Sequence, residues 1–550
     1  MASNGTDTAR YDRQLRLWGE EGQALLEASH IVLLRTSAVG TETLKNLVLP
    51  GIGQFTVIDD QLVDDASFND FFIPDGSNGK PRAEVTVKLL NELNDRVTGH
   101  ALVKNPIDIV HNHIDTLSQY SVIIANGLPE ETVLRLSSFA WEKNIPLVVV
   151  KTNGLIGSLR VVVPEHTVIE SKPDNPMDDL RLSVPFPELS EYAANIDLSN
   201  MDSTQHSHVP YIVILLQHLN KWKTAHDGAL PSTYAEKNAF KDQVIKGAHK
   251  PGEENFLEAH KGAYKAYTRY EIKSDVRAIL EDPKTSNPTD KFWVLAAALS
   301  QFVKKEGKGC LPLMGSLPDM HSSTESYIAL QKIYQAKAAT DISSISHHVD
   351  HILQTRQLSL SISTDDIKKF SKNAAFLRVI RYRSIQDEYN PHTSNSSLIG
   401  AELASDADSN IQWYIALRSV DLFQSTHGRL PGHRHADVEE DTANLISLHR
   451  KTLEGLGLKD VAADDRYPRE MVRYGGSELH AVAALVGGVT SQEIIKLIVH
   501  QFAPMNNTWI FNGNKGTTNV YAIVFEQRGT RGSTEIEGAS QRVGVSFAQE

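Results

Sequence analysis

Residues 30–49, HIVLLRTSAVGTETLKNLVL, decide the fold of this chain. The run HIVLLR (30–35) is short, apolar and rich in β-branched residues, as strands buried on both faces are. A turn of small residues follows at TSAVG (36–40), and TETLKNLVL (41–49) places apolar residues at helical spacing. The stretch therefore predicts a strand, a tight turn and a helix, which together begin a parallel sheet.

The same alternation continues as far as residue 150. Further strand candidates are FTVIDD (55–60), HALV (100–103), SVIIAN (121–126) and PLVVV (146–150). Helix candidates are PRAEVTVKLLNEL (81–93) and EETVLRLSSFAWEKN (130–144). Strands that alternate with amphipathic helices form mostly parallel sheets with right-handed crossovers. We therefore predict the α/β fold class, with a Rossmann-like domain over residues 1–168.

Beyond residue 168 the sequence changes to long helical stretches. Examples are VPYIVILLQHLNKWKTAH (209–226) and DKFWVLAAALSQFVKKEG (290–307), which no longer alternate with strands. We predict that residues 169–480 form a large, mainly α-helical insertion. Two polar stretches within it, 390–410 and 428–444, are predicted to be loops.

The C-terminal region returns to a mixed pattern. Residues 478–502 are apolar enough for a long helix, which we predict to be broken or bent at Gly487 and Gly488. The strand candidates NTWIFNG (507–513) and NVYAIVFEQ (519–527) follow. Because one helix and two strands cannot cover their own apolar faces, we expect residues 481–550 to return to the N-terminal sheet.

Composition limits the function further. The net charge of −13 disfavours a general nucleic-acid binder, which needs a basic face against phosphates. The single cysteine, Cys310, excludes an internal disulfide and zinc sites built from cysteine pairs. The start MASNGTDTAR lacks the apolar core of a secretory signal, and no run approaches the roughly 18 apolar residues that cross a bilayer. We expect a cytoplasmic and nuclear protein without nucleic-acid or membrane partners.

The turn after the first strand is the first place to look for a nucleotide site. Nucleotide-binding Rossmann domains place glycines there, because only glycine lets backbone amides approach phosphates closely. This turn has one glycine, Gly40, whereas Arg35, Ser37 and Ala38 add side chains. The residues alone favour a structural turn.

Other candidate residues give weaker signals. Asp59 and Asp60 end the second strand, where an acid can hold a ribose, although such acids are also common in solvated loops. Cys310 is the one thiol nucleophile available, and no activating base can be assigned to it. His347 and His351 have a metal-binding spacing on a predicted helix, without an evident third ligand.

Several longer stretches carry a family resemblance. YDRQLRLWG (11–19), followed by residues 28–60, resembles the ubiquitin-activating-enzyme family, whose adenylation domains are Rossmann-like and occur in pairs. Residues 311–338, 372–384 and 476–498 look like the non-catalytic subunits of the neddylation branch of that family. The resemblance implies a Rossmann-like adenylation (ThiF-type) domain with a large helical insertion that resembles a catalytic-cysteine domain without its cysteine.

The resemblance also implies that the nucleotide site is degraded. The four glycine positions of the family's phosphate turn fall on Arg35, Ser37, Ala38 and Gly40. The nucleotide-binding aspartate, arginine and lysine and the magnesium-holding aspartate fall on Gln61, Asp70, Arg82 and Pro129. A Mg-ATP site needs cations and backbone donors around the phosphates. The chain is therefore expected to hold no cofactor or metal and to have no catalytic residue of its own.

The segment YDRQLRLWG has a different implied role. In the family, the arginine that matches Arg13 reaches the phosphates of ATP in the partner subunit, as an arginine supplied in trans. Leu15, Leu17 and Trp18 are then expected to anchor the segment. Residue chemistry alone favours surface arginines held in salt bridges at both Arg13 and Arg16, and the resemblance reverses this interpretation for Arg13 while keeping it for Arg16.

These implications describe a non-catalytic regulatory subunit of a heterodimeric activating enzyme. Its catalytic partner would hold Mg-ATP, adenylate the C-terminus of a ubiquitin-like modifier and form the thioester, while this chain completes the fold and helps to bind the modifier. Alternatives are the equivalent subunit of the SUMO-activating enzyme, a Rossmann oxidoreductase and a stand-alone Rossmann-like adaptor. The length of 550 residues disfavours the SUMO subunit, and the single-glycine turn disfavours nicotinamide binding.

Overall fold

The computed structural model describes residues 10–64, 72–173, 178–390, 392–393, 395–459 and 461–523. The chain forms two compact units. The first unit combines residues up to His166 with residues from Val379 onward, and the second unit is Thr167–Arg378.

An eight-stranded sheet forms the centre of the first unit. Its strands are β1 His30–Leu34, β2 Gln54–Ile58, β3 Thr98–Leu102, β4 Val122–Ala125, β5 Leu147–Asn153, β6 Ile156–Val162, β9 Thr508–Asn512 and β10 Thr517–Tyr521, in the order β10-β9-β6-β5-β4-β1-β2-β3. The strands from β3 to β5 in this order are parallel, and β6, β9 and β10 join antiparallel. Strands β7 Glu165–Val168 and β8 Arg378–Arg381 form a separate two-stranded sheet. The predicted α/β class with a mostly parallel N-terminal sheet is confirmed.

The helices fall into three groups along the chain. The first group is α1 Asp12–Glu27, α2 Ala38–Val48, α3 Arg82–Leu93, α4 Pro106–Asn112 and α5 Glu130–Lys143. The second group is α6 Pro187–Ala194, α7 Ser203–His206, α8 Tyr211–Ala225, α9 Tyr234–Ile245, α10 Glu254–Gly262, α11 Tyr264–Tyr267, α12 Ser274–Leu280, α13 Lys291–Lys304, α14 Thr324–Arg356 and α15 Thr364–Lys372. The third group is α16 Ile385–Tyr389, α17 Ser396–Ser405, α18 Ile411–His427, α19 Val438–Gly455, α20 Arg466–Tyr474 and α21 His480–Val499.

Strand β1 shows why the sheet is covered on both faces. Ile31 and Leu33 belong to one buried apolar cluster, with side chains of α2 and α21. Val32 and Leu34 belong to a second cluster, with side chains of α4 and α5. Successive side chains of a strand point to opposite faces, so an uninterrupted apolar run requires helices on both sides.

Helix α2 begins directly at the turn after β1. Ser37 is its N-cap, and the Ser37 hydroxyl accepts a hydrogen bond from the backbone N–H of Gly40 at 3.0 Å. A capping hydroxyl satisfies one of the donors that a helix start leaves without a partner. The helix axis is thereby fixed at the carboxyl end of β1.

The predicted bend in the last long helix is wrong. Helix α21 runs without interruption through Gly487 and Gly488. A Cβ atom on Gly487 would lie 2.8 Å from Cβ of Glu42 and 2.9 Å from the backbone nitrogen of Thr43, both on α2. Gly487 therefore permits close helix packing. By length and composition α21 could span a membrane, but most of its apolar window is buried against the rest of the chain.

The second unit has its own helical core. Ile212, Val213 and Ile214 of α8 are fully buried together with Phe240 of α9 and Phe256 of α10. The longest described helix in this unit is α14, which starts at the N-cap Ser323. The predicted long helices over 209–226 and 290–307 correspond to α8 and α13.

The two predicted loops are partly wrong. Residues 390–410 contain α17, and residues 428–444 contain the start of α19. Ile399 and Leu403 of α17 are buried. The three large apolar residues of this segment, Leu398, Ile399 and Leu403, give little periodicity, so tertiary burial decides this helix. Helices α16 to α20 lie in the first unit, in the region 169–480 that the sequence analysis assigned to the insertion.

Candidate functional site

A cleft of about 700 Å³ opens in the first unit at the carboxyl ends of β1, β2, β4 and β5. The turn after β1 lines it with Arg35, Ser37 and Ala38, and the segment before α21 lines it with Glu478. Open α/β sheets bind their ligands in the crevice outside the carboxyl ends of the strands. The cleft is thus the place where a nucleotide-binding Rossmann domain would hold phosphates.

The carboxylate of Glu478 lies at the N-terminus of α2. The backbone N–H of Ala38 donates to Oε2 of Glu478 at 2.7 Å, and the hydroxyl of Thr152 donates to Oε1 at 2.5 Å. A helix N-terminus carries free N–H groups and a partial positive charge, which attract phosphates and carboxylates alike. Here the carboxylate of Glu478 takes the position that such a helix offers to a phosphate.

Arg35 occupies the first glycine position of the turn. Its φ of 70° lies in the left-handed region that favours glycine. Its guanidinium donates to the carbonyl oxygen of Gly127, which follows β4. Burial lowers the pKa of Arg35 from its ordinary value, and the nearby Asp59 and Asp60 oppose that shift. Arg35 thus keeps a glycine-like backbone while its side chain fills part of the cleft.

The residues after β2 are bonded to one another. Asp59 is fully buried, and its carboxylate accepts the backbone N–H groups of Thr36 at 2.8 Å and Gln61 at 2.9 Å. The side-chain oxygen of Gln61 accepts a hydrogen bond from Arg82 at 3.1 Å, and Asp60 is exposed. The carboxylate of Asp59 therefore fixes the turn and is not directed at a ribose.

Two further positions that the resemblance assigns to the nucleotide site are Asp70 and Pro129. Asp70 lies outside the described residues. Pro129 is the N-cap of α5, and its carbonyl oxygen accepts the N–H of Val133 at 3.0 Å. A proline side chain has no oxygen, so it cannot ligate magnesium as a carboxylate does.

The N-terminal segment forms the first part of α1 and ends at Gly19. Gly19 has a φ of 71° and interrupts the helix, so residues 12–18 form a short helix of their own. Trp18 is 7% exposed, and its indole N–H donates to the side-chain oxygen of Gln23 at 3.1 Å. The hydroxyl of the buried Tyr11 accepts a hydrogen bond from Asn94 at 3.0 Å. These two aromatic residues attach the segment to the first unit.

The two arginines of this segment have different surroundings. Arg16 forms an ion pair with Asp12 at 2.8 Å, as the sequence analysis expected. Arg13 is exposed, and its guanidinium has no hydrogen bond or ion pair among the described residues. Leu15 is half-buried, whereas Leu17 is 54% exposed, so this chain does not pack over Leu17 as an anchor would require.

Cys310 and the histidine pair on α14 show no reactive arrangement. Cys310 is buried, and burial raises the pKa of its thiol even though Arg181 opposes that shift. A thiol with a raised pKa is a poor nucleophile at neutral pH. Nδ1 of His347 lies 2.8 Å from the carbonyl oxygen of Ser343, and His351 is exposed. Among the described residues this pair belongs to no metal-binding cluster.

The sequence analysis did not identify three residues that line the cleft: Asn126, Thr152 and Glu478. Glu478 bonds to Ala38 across 440 positions of the chain. Thr152 lies within β5, and Asn126 follows β4 and donates to the hydroxyl of Ser37. The stretch GSELHAV carried the family resemblance, but nothing local connects an acid there with a turn at the other end of the sequence.

A mostly parallel Rossmann-type sheet with a cleft at the carboxyl ends of its strands is typical of the adenylation-type fold. The ThiF family profile matches residues 11–529. A NEDD8-activating enzyme E1 regulatory subunit of Xenopus laevis is 41% identical over 526 residues, covering 94% of this chain and 98% of the relative. The subunit AXR1 of Arabidopsis thaliana is 41% identical over 511 residues, covering 92% and 94%.

The similarity extends to distant organisms. The corresponding subunit of Saccharomyces cerevisiae is 27% identical over 540 residues, covering 94% of this chain and all of the relative. The chain belongs to the ThiF family and, within it, to the NEDD8-activating enzyme E1 regulatory subunits. It is thus a regulatory subunit of an E1 enzyme of the neddylation pathway, as the resemblance implied.

Proposed function

We propose that this chain is the non-catalytic half of a heterodimeric activating enzyme. Its catalytic partner holds Mg-ATP, adenylates the C-terminus of a NEDD8-type modifier and forms the thioester, while the cleft of this chain holds no nucleotide and no magnesium ion. The hydrogen bond from Ala38 N–H to Glu478 carries the proposal, because it fills the phosphate position from within the chain. The names of the relatives support the pairing with a catalytic subunit.

The proposal assigns Arg13 to the partner's ATP. Its exposure and its lack of an ion-pair partner among the described residues leave the guanidinium available for a charge on another chain. The buried Tyr11 and Trp18 on either side fix the short helix that carries it. An arginine supplied in trans stabilises the charge of a reacting phosphate group and forms fork-shaped hydrogen bonds with it.

The proposal also assigns a partner surface to the exposed apolar residues near α1. Leu17 and Leu25 of α1 are 54% and 40% exposed, and Leu49, directly after α2, is 48% exposed. Obligate interfaces are large and apolar at their centre. The helical unit Thr167–Arg378 would form one wall of the groove that binds the modifier.

The test is modifier-dependent exchange between ATP and pyrophosphate. The chain alone, the catalytic subunit alone and the two together are purified, and all three samples are assayed with and without the modifier. We expect exchange only from the pair and only with the modifier. Exchange by the isolated chain would overturn the non-catalytic assignment. A pair no more active than the catalytic subunit alone would favour the stand-alone adaptor.

A further inference from the structure

A cluster of three potential metal ligands lies in the helical unit, apart from the nucleotide cleft. It consists of His206, His249 and Glu253, and one ligand atom from each lies within 4.8 Å of the others. His206 ends α7, His249 lies in the turn between α9 and α10, and Glu253 is the N-cap of α10. The sequence presents His206 only in the pair HSH (206–208), so the fold is needed to bring the three together.

One oxygen of the Glu253 carboxylate has hydrogen-bond partners, and the other has none among the described residues. Its Oε2 accepts a hydrogen bond from the backbone N–H of His249 at 3.3 Å and lies 3.0 Å from Nδ1 of His206. Its Oε1 is buried and has no hydrogen-bond partner among the described residues, on a residue that is only 8% exposed. A buried carboxylate oxygen without a partner is costly, so the site lacks a positively charged or hydrogen-donating group.

The two imidazoles provide nitrogen donors on the same side. His206 is buried, whereas His249 is exposed, and their rings stack with centroids 3.6 Å apart. Phe256 stacks on His206 at 4.9 Å and fixes its ring. The exposed ring of His249 gives a path for entry. Its turn is bounded by Gly247 and by Gly252, whose φ of 88° lies in the left-handed region that favours glycine.

We propose that His206, His249 and Glu253 bind one zinc-type divalent cation. Two neutral imidazoles and one carboxylate are ligands that zinc prefers, whereas calcium and magnesium prefer oxygen ligands only. Tetrahedral zinc bonds of about 2.0–2.1 Å place ligand atoms roughly 3.4 Å apart. No two ligand atoms of the cluster are more than 4.8 Å apart, so any contraction is at most about 1.4 Å. A tilt of the exposed His249 ring out of the stack provides this movement. Water fills the fourth position.

The bound ion would tie the turn between α9 and α10 to the end of α7. In the metal-free chain that turn is held to Glu253 by the backbone of His249. Coordination adds one bond from the end of α7 and two from the turn before α10 to the same ion, which stabilises only the folded arrangement. The bound ion therefore stabilises the folded helical unit, and the site does not depend on the proposed ATP chemistry.

The experiment measures zinc binding to the full chain after chelator treatment, with every affinity tag removed. Zinc sulfate is titrated against a chromogenic chelator, and the metal content is measured after dialysis. We expect one equivalent of zinc per chain. His249→Ala is expected to weaken binding by more than about 100-fold, because even outer-shell changes cost 10- to 100-fold in metal affinity. Glu253→Gln keeps the shape and removes the charge, and it is expected to weaken binding as well.

The matched control is the double variant His347→Ala/His351→Ala on α14. This pair has a metal-binding spacing in the same unit but belongs to no cluster among the described residues, so wild-type affinity is expected. Cobalt in place of zinc should give the intense visible absorption of a four-coordinate ion in wild type and not in His249→Ala. Wild-type binding no tighter than that of His249→Ala, or loss of binding in the control, would overturn the proposal. Melting of the metal-free variants checks that each one folds.

Discussion

Arg13 and Arg16 stand about one helical turn apart, yet they differ in what faces them. Arg16 has Asp12 at 2.8 Å, whereas Arg13 has no described partner in this chain. If Arg13 reaches a phosphate of the partner's ATP, its loss removes a charged hydrogen bond worth about 1.5–3 kcal/mol. We expect Arg13→Ala to lower modifier-dependent exchange by the heterodimer by about 10- to 100-fold.

Arg16→Ala is the control for that variant. It removes the same charge from the same short helix and breaks one exposed ion pair, which contributes about 0–1 kcal/mol. We expect the exchange rate and the apparent ATP affinity to stay within about twofold of wild type. Equal losses in the two variants would point to general helix destabilisation, and no loss in Arg13→Ala would exclude the trans role. Both heterodimers are first checked for equal assembly by gel filtration.

The residues of the turn after β1 could be predicted to bind phosphate poorly, but the contact between Glu478 and the start of α2 could not be predicted. Arg35, Ser37 and Ala38 stand where glycines would be needed, so a poor phosphate turn could be inferred from the sequence. That Glu478 would fill the position could not, because the contact joins the turn to a segment 440 residues away. Local patterns report neighbours along the chain, whereas this bond depends on how α21 packs beside α2.

At the scale of single elements, α21 shows how a sequence signal can mislead. Two adjacent glycines predict a bend, because glycine weakens a helix interior. The helix is nevertheless continuous. Gly487 is there because it lies against Glu42 and Thr43 of α2, where a side chain would not fit. The strands of the sheet were predictable for the opposite reason, since runs such as Ile31 to Leu34 are apolar on both faces.

The two glycines give a test within one helix. Gly487→Ala would place its Cβ 2.8 Å from Cβ of Glu42 and 2.9 Å from a backbone nitrogen, so α2 and α21 must move apart. Overpacking of this kind costs about 1–3 kcal/mol of the free energy of unfolding. We expect a lower melting temperature for this variant, measured by circular dichroism.

Gly488→Ala provides the comparison at the next position. Apart from Gly488 itself, its chain neighbours and the backbone of its own helix, no described atom lies within 4 Å of a Cβ built on Gly488. Alanine favours a helix interior over glycine by about 0.8–1.0 kcal/mol, so this variant should melt at the same temperature or higher. A lower melting temperature in Gly488→Ala than in Gly487→Ala would show that the close packing of α2 and α21 is not what requires a glycine.

At the scale of the whole molecule, the sequence predicts helices better than it predicts which unit holds them. Helices α16 to α20 lie in the predominantly helical part of the sequence, as do those of Thr167–Arg378, but they belong to the first unit. Ile411 and Ile415 of α18 share a buried cluster with Ile156 of β6 and Ile510 of β9. Periodicity reports that a face is apolar and leaves open which surface covers it.

Buried histidines in both units predict how the whole chain responds to acid. Burial lowers the pKa of His166 to about 3, and the pKa values of His218 and His449 to about 4. In the unfolded chain a histidine has a pKa near 6.5, so below that pH the unfolded state takes up protons that the folded state refuses. The free energy of unfolding should fall as the pH drops from about 6.5 to about 4, by up to about 1.4 kcal/mol per pH unit for each histidine.

His449 allows this response to be assigned to a residue. It is fully buried on α19, and its Nδ1 lies 3.3 Å from the hydroxyl of Ser419 on α18. His449→Gln removes the titrating ring, so its stability should decline less steeply than that of wild type between pH 6.5 and 4.5, as measured by urea unfolding at each pH. The exposed His347→Gln should keep the wild-type decline. Because both variants lose one histidine, parallel curves for all three proteins would mean that burial of His449 does not set the acid response.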